Sequence, residues 1–276
     1  MSSTPATGGW KRRAADALAR AHALGPAVSL YQTMLGVSGS VRSRGYMPAD
    51  GAPVPPAQLR VRIGPSHADL RTFVESGEHH ATLVRELVAR HGETPETLAP
   101  ILDFGCGCGR VARQWHTSEV DLHGCDVNQR MIDWCRDNLR GSFATNMVEP
   151  PLPYGASTFG LVYAFSVFTH LPELLQQRWV DELQRVLRPG GYLLFSTLGE
   201  YYVELDRLTE AERARFDAGE LVVLFDEHAG ESFCSAYHPR EYVERTLSRG
   251  LEYRDFRSGD DRDTHDVHLL QKPLAD

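Results

Sequence analysis

The 276-residue sequence predicts an α/β fold: a doubly wound, mostly parallel, seven-stranded sheet with helices on both faces, plus an N-terminal helical lid. Three observations predict it. From about residue 93 onward, short apolar segments alternate with amphipathic ones, the rhythm of successive βα units. Phe159 to Ser166 is a continuous apolar run, as a strand buried on both faces requires. A glycine-rich turn, Asp103-Phe104-Gly105-Cys106-Gly107-Cys108-Gly109, follows the first of the apolar strands.

The elements before residue 93 belong to the lid region, residues 1–92. Residues 1–9, rich in Ser, Thr, Pro and Gly, have the composition of a disordered start. Trp10 to Leu24 alternates Ala, Leu and Arg and predicts a helix ended by Gly25-Pro26. Ala27 to Leu35 predicts a second helix, stopping before Gly36. Gly36 to Pro56 holds four glycines and four prolines and predicts a long irregular stretch. Leu59 to Ile63 alternates apolar residues with arginine, as a short strand or extended arm does. Ser66 suits an N-cap, and His67 to Arg90 carries a helical apolar stripe interrupted near Gly77.

Residues 93–276 form the second region. Strands are expected at Pro100 to Phe104, Glu119 to Cys125, Ser142 to Met147, Phe159 to Ser166 and Tyr192 to Thr197. Helices are expected to begin at Gly109 and to span Asn128 to Leu139 and Pro172 to Leu187, with Arg188-Pro189-Gly190-Gly191 turning the chain into the fifth strand. An insertion at 199–238 breaks the rhythm, with a charged helix from Thr209 to Ala218 and a strand-like run from Leu221 to Phe225. Pro239 to Leu247 reads as a helix, and Leu251 to Phe256 with His265 to Gln271 as two closing strands around Ser258-Gly259-Asp260-Asp261.

Composition narrows the function classes. The formal net charge of -8 disfavours a nucleic-acid partner, because phosphate neutralisation supplies most of that affinity. No stretch reaches the ~20 apolar residues of a membrane span, and Met1 to Gly9 lacks the apolar core of a signal peptide. The five cysteines, Cys106, Cys108, Cys125, Cys135 and Cys234, include no CxxC pair and read as reduced thiols of a cytoplasmic protein. His79-His80 lacks a histidine partner at i, i+4, so no metal is expected there.

A strand ending in an acid, then a glycine turn, then a helix start makes a cofactor cradle. The glycines let backbone approach a ligand, and free N–H groups face it. The spacing Gly105-x-Gly107-x-Gly109 is neither the GxGxxG of dinucleotide sites nor a phosphate loop ending in Gly-Lys-Ser/Thr. An acid at the strand end suits an ammonium group better than a pyrophosphate.

These residues resemble the first motif of the class I, Rossmann-like S-adenosylmethionine-dependent methyltransferases. Further segments fall in that family's order: Asp126 after the second strand, Asn146 before Pro150-Pro151, Phe159 to Leu171, and Leu183 to Thr197 with its Pro189-Gly190-Gly191 turn. The resemblance covers about residues 100–197 and implies S-adenosyl-L-methionine as cofactor, released as S-adenosyl-L-homocysteine. It implies that Asp126 binds the ribose hydroxyls and that Asn146 lies where the adenine is contacted. Cofactor contacts are expected from Asp103, Gly105, Cys106, Gly107, Gly109, Arg110, Asp126, Val127, Met131, Asn146, Met147, Phe165 and Ser166. One departure stands out: Gly160 follows Phe159 where the family often has an acid, which reads as a structural change.

Methyl transfer from a sulfonium is an in-line displacement that depends on positioning and exclusion of water. The acceptor is expected at the carboxyl ends of strands four and five. Candidate catalytic residues there are His170, Tyr201 and His238; candidate substrate contacts are Tyr31, Tyr46, Phe168, Tyr202, Phe233 and Tyr237. The expected reaction is methylation of an oxygen or nitrogen of a small molecule such as a specialised metabolite, with no metal. The expected partners are that acceptor and, in a homodimer, a second copy of the chain. The residues leave open C-methylation, another use of the sulfonium, and a non-catalytic cofactor-binding regulatory partner.

Overall fold

Ile101–Phe104 (β1) lies at the middle of the molecule, buried along its whole length. In the computed structural model, which describes residues 24–206, 208–226 and 234–274, it pairs in parallel on both edges: with Leu122–Asp126 (β2), where Ile101 faces Leu122, and with Phe159–Ala164 (β4), where Ile101 faces Leu161. Ser142–Thr145 (β3) extends the sheet beyond β2 and Leu187–Thr197 (β5) extends it beyond β4, all parallel. Val222–Leu224 (β6) and Ser235–Tyr237 (β7) form a separate antiparallel pair. Glu252–Arg257 (β8) and Asp266–Gln271 (β9) complete the main sheet antiparallel, giving the order β3-β2-β1-β4-β5-β9-β8. Strand order reverses between β1 and β4, so a crevice forms at their carboxyl ends, where open α/β sheets bind ligands.

Period-2 alternation in the strands splits the core into two layers. Ile101, Leu122, Leu161, Tyr163, Leu194 and Leu269 point to one face. There they meet Leu70–Ala89 (α3, which follows Leu24–Arg42, α1, and Ala57–Ile63, α2) and Gln129–Asn138 (α4), through Val84, Leu87, Ile132 and Cys135. Leu102, Phe104, Val162, Ala164, Phe195 and Leu270 point to the other, against Leu175, Trp179, Leu183 and Val186 of Glu173–Val186 (α5). Each such side chain removed from water stabilises the fold by about 1.5–3 kcal/mol. Gly160 has a steric reason: a Cβ there would lie 2.1 Å from the Leu98 carbonyl oxygen and 2.7 Å from the Arg188 guanidinium.

The lid region departs from the sequence-based expectation. The helix expected to end before Gly36 runs on as α1, Leu24–Arg42. Gly39 does not stop it but lets it pass close to its neighbour, its Cβ position lying 2.2 Å from the Ala68 carbonyl oxygen. Residues 59–63, expected as a strand or arm, are helical within Ala57–Ile63 (α2). The buried face is Ala57, Arg60 and Val61, a helical spacing in which Arg60 takes an inward position. It can, because its guanidinium donates to the carbonyls of Pro55, His67 and Ala68 at 2.6–3.1 Å. Ser66 falls in a short 3-10 turn; Asp69 is the N-cap of α3, accepting from the Thr72 N–H at 3.0 Å. Nor does Gly77 interrupt α3. A Cβ there would stand 2.1 Å from the Arg110 carbonyl oxygen, so the glycine lets α3 lie directly on the glycine-rich loop.

After Gly109 the expected helix is reduced to turns and one 3-10 segment, Ala112–Trp115. Arg113 of that segment reaches back to the lid, pairing with Asp50 at 2.9 Å and donating to the Ala52 carbonyl at 2.9 Å. The 199–238 insertion holds Glu200–Asp206 (α6), Glu210–Asp217 (α7, with the Thr209–Glu212 capping box) and the β6–β7 pair. Pro239 leads into Arg240–Tyr242 (α8), continued as a wider turn through Leu247. The expected helix over residues 10–24 and the expected disordered start lie outside the described residues, apart from Leu24.

Candidate functional site

β1 ends in Asp103 and delivers the chain into Gly105, Gly107 and Gly109, whose φ angles of +75°, +54° and +78° are left-handed. A side chain is excluded at Gly105 on space as well, since a Cβ would lie 2.3 Å from Val167. The loop is held from below by β2: the Gly105 and Cys106 N–H groups donate to the Cys125 carbonyl at 2.8 and 2.9 Å. Asp126, at the β2 end, accepts from the Gly107 N–H at 2.9 Å and the Asn128 N–H at 2.8 Å, one on each carboxylate oxygen. Each oxygen keeps a further lone pair for a ligand hydroxyl. Val127 and Met147 flank the acid and Asn146 as exposed side chains.

Two buried acceptors along this row lack partners. Asp103 Oδ2 and Asn146 Oδ1 are both inaccessible to solvent and unbonded among the described residues. An unmet buried acceptor costs about 1–3 kcal/mol, so such atoms signal a donor that the protein itself does not supply. Burial pushes the Asp103 carboxyl up to about 7, against the opposing pull of Arg110, the Tyr163 hydroxyl and the Ala112 N–H, with Asp126 adding to the rise. Asp126 is likewise raised by burial, and its two backbone N–H bonds oppose that. An ammonium near Asp103 and an amino group near Asn146 would satisfy both orphans. The residues present therefore fit a zwitterionic nucleoside cofactor with an amino-acid end.

Around this row the other expected contacts take distinct places. Cys106 is a buried thiol behind the loop, and its hydrogen bond with Cys135, followed by burial, raises it well above the usual thiol range. Met131 sits under the lid with Phe73, Cys108 and Ile63. Phe165 is buried at the β4 end, and Ser166 follows it at φ +59°, a left-handed serine costing about 1 kcal/mol or more. The Ser166 N–H is held by the Ser196 hydroxyl at 2.8 Å, a β5 contact that sequence reading missed.

The acceptor-side candidates divide sharply. His170 is half-buried, and its Nδ1–H donates to the Cys234 carbonyl at 2.7 Å, which leaves Nε2 as the lone-pair nitrogen. Burial lowers its pKa, so the ring is neutral at pH 7. Tyr202 faces His265 with ring centroids 5.7 Å apart, and the Tyr201 hydroxyl donates to Asp261 at 3.3 Å. His238 is 0% exposed with Nε2 3.0 Å from Gln176, and Phe168, equally buried, packs on Phe195. That placement takes both away from a solvent-entered acceptor and gives them core roles. Tyr237 is buried too, its hydroxyl donating to Asp206. Tyr46 lies on the lid under Arg71, the guanidinium carbon 5.0 Å from the ring centre, and Tyr31 is exposed on α1. Phe233 lies outside the described residues.

A family model described as a methyltransferase domain matches residues 101–191, the segment from β1 into β5 that carries the loop, Asp126, Asn146 and Ser166. Residues 101–191 thus carry the match to a methyltransferase domain. A solved S-adenosylmethionine-dependent methyltransferase from Mesorhizobium loti shares this methyltransferase fold at a TM-score of 0.52 and 15% identity, over 70% of this chain and all (100%) of that one. The chain is also 31% identical over 116 residues to malonyl-(acyl-carrier protein) O-methyltransferase of Enterobacter lignolyticus (strain SCF1), covering 42% of this chain and 45% of that protein. It is 28% identical over 111 residues to tRNA (carboxymethyluridine(34)-5-O)-methyltransferase of Arabidopsis thaliana, covering 40% of this chain and 26% of that one. The chain thus spans less than half the length of either relative.

Asp126→Ala removes charge-assisted hydrogen bonds and unties the Gly107 N–H. The expected result is cofactor affinity weakened by about 1.5–3 kcal/mol, tenfold or more, read by titration calorimetry. Unchanged affinity would place the ribose contact elsewhere. Among the described residues no group of three or more His, Cys, Asp or Glu side chains is arranged to hold a metal ion, and no helix is long and apolar enough to cross a membrane.

Proposed function

We propose that this chain transfers a methyl group from S-adenosylmethionine to an oxygen or nitrogen atom of a small molecule. The observation that carries the cofactor assignment is the pair of orphaned buried acceptors, Asp103 Oδ2 and Asn146 Oδ1, set along the carboxyl ends of β1 to β3. Asp103 holds the ammonium, Asp126 the ribose hydroxyls, and Asn146 Oδ1 the adenine amino group. Gly105 and Gly107 let the backbone approach. When bound, the cofactor supplies an electrophilic methyl on a sulfonium.

The residues around it orient the acceptor and exclude water, which accounts for most of the acceleration of such a displacement. His170 Nε2, neutral and with its tautomer set by the Cys234 carbonyl, takes the acceptor's proton where the acceptor is a hydroxyl or a protonated amine. The net charge of -8 supports an acceptor other than a polyanion. The Enterobacter relative is by name an O-methyltransferase, which supports oxygen as the accepting atom. Five buried cysteines, none in a disulfide among the described residues, support a reducing, cytoplasmic setting.

The test supplies methyl-labelled S-adenosylmethionine to the purified chain with small-molecule, RNA and protein fractions of a cell extract. Label in the small-molecule fraction, with a product heavier by one methylene, is the expected outcome. Label confined to RNA or protein would overturn the acceptor class. An acceptor changed without gain of mass would identify a rearrangement instead.

A further inference from the structure

His80, on α3, carries no role in the reading above, yet it is 7% exposed and bonded at both ring nitrogens. Nδ1 lies 2.7 Å from Arg110 Nη1, and Nε2 lies 3.2 Å from Asp263 Oδ2. A guanidinium only donates, so Nδ1 is the acceptor and the proton sits on Nε2, pointing at the carboxylate. The ring is fixed sideways as well, stacked on Phe165 at 4.0 Å and 6° between planes. With both nitrogens engaged it has no lone pair left to accept a substrate proton.

Arg110 follows the third glycine of the loop and is itself buried. Among the described residues its hydrogen bonds run from Nη1, to His80 and to the Ser76 carbonyl at 3.2 Å, leaving Nη2 and Nε. Asp103 attracts it without forming an ion pair within 4 Å among the described residues. One buried cation and one buried anion, close but unpaired, are the complement of a zwitterion.

We propose that His80 and Asp263 are positioning residues that aim Arg110 at the carboxylate of the cofactor's amino-acid end, opposite Asp103 and its ammonium. The proposal rests on S-adenosylmethionine as cofactor. Asp263 anchors the relay from the β8–β9 connection, 183 residues away in sequence. It is held in turn by His79 Nε2 at 3.3 Å and by Arg257 Nη1 and His265 Nδ1 at 3.6 Å. Burial would raise its pKa, but bonds from His265, His79 and His80 outweigh that and keep it ionised. Burial and the Arg110 charge lower the His80 pKa to about 3, in keeping with a neutral ring.

The test compares two ligands that share nucleoside and thioether, S-adenosylhomocysteine with the amino-acid end and methylthioadenosine without it. Calorimetry on His80→Phe is expected to show about tenfold or greater weakening for S-adenosylhomocysteine, one charge-assisted bond's worth, and no change for methylthioadenosine. His80→Asn, whose Oδ1 can replace Nδ1 as acceptor, restores most of the loss. Asp263→Asn gives an intermediate loss, again for S-adenosylhomocysteine alone, and keeps the test open should His80→Phe not fold. Equal weakening of both ligands, or of neither, would overturn the proposal and leave His80 as packing. Wild-type chain binding neither ligand would refute the cofactor assignment itself, a separate result.

Discussion

Gly107→Val is expected to weaken cofactor binding by on the order of 100-fold or more in a chain that still folds. Gly107 has φ +54°, where a β-branched residue is strained by about 1–2 kcal/mol or more. Its Cβ would also lie 3.2 Å from Cδ1 and Cγ1 of Ile63, at the end of α2. From the sequence alone, the expected harm is a side chain filling the ligand's path; the structure adds the lid that the side chain would push. The Ile63 side chain must then give way, and the strain falls on the turn whose Gly107 N–H bonds Asp126. Together these correspond to a loss of about 3 kcal/mol or more, on the order of 100-fold in affinity. Calorimetry with S-adenosylhomocysteine measures this, and circular dichroism checks that the helices and sheet persist. Near-normal binding would show that the loop is not the cradle.

The second large effect is a pH dependence that belongs to Asp103. With its pKa raised to about 7 by burial, the free chain holds this carboxyl protonated below neutrality. An ammonium ligand requires it ionised, so a proton must leave as the cofactor binds. Affinity for S-adenosylhomocysteine is therefore expected to level off above about pH 7 and to fall below it, approaching about tenfold per pH unit. Asp103→Asn should bind weakly at every pH and remove the slope. A wild-type profile flat through neutrality would place the ammonium elsewhere. The same shift acts on stability with the opposite sense of pH. The native state holds the proton more tightly than the unfolded chain, so the ligand-free protein loses stability as pH rises from the ordinary carboxylate range to about 7. Bound cofactor offsets that loss.

The parallel sheet was legible because its signals are local. Phe159 to Ala164 is buried at every position, and the apolar run says so. Asp103 and the three glycines were legible for the same reason: the turn needs left-handed backbone, and the acid ends the strand before it. What escaped depended on partners far along the chain. Arg60 made residues 59–63 look like an alternating strand, whereas three carbonyls allow it to face inward from a helix. Gly77 read as an interruption and Gly39 as part of an irregular stretch, whereas their role is close approach to Arg110 and Ala68. Asp263 lies just past the Ser258-Gly259-Asp260-Asp261 turn, and nothing local in the sequence marks its partner His80, 183 residues away. A signal for His80 existed: it falls on the helical stripe that includes Phe73, Val74, Val84 and Leu87, a spacing that marks an inward position. His238 and Phe168 follow strands of the acceptor side in sequence, but their side chains turn into the core.

The place of β9 has a consequence for a chain being made from its N-terminus. Tyr192 to Thr197 of β5 pairs on one side with β4 and on the other with residues 266–271 alone. Until those residues leave the ribosome, β5 presents a bare row of N–H and C=O groups flanked by side chains that will all be buried, a template for pairing with any other nascent chain. Assembly order is thus the reverse of synthesis order at this edge. A chaperone that shields β5 during translation should raise the yield of soluble protein, and a stop codon before residue 266 should yield aggregate rather than a smaller folded protein.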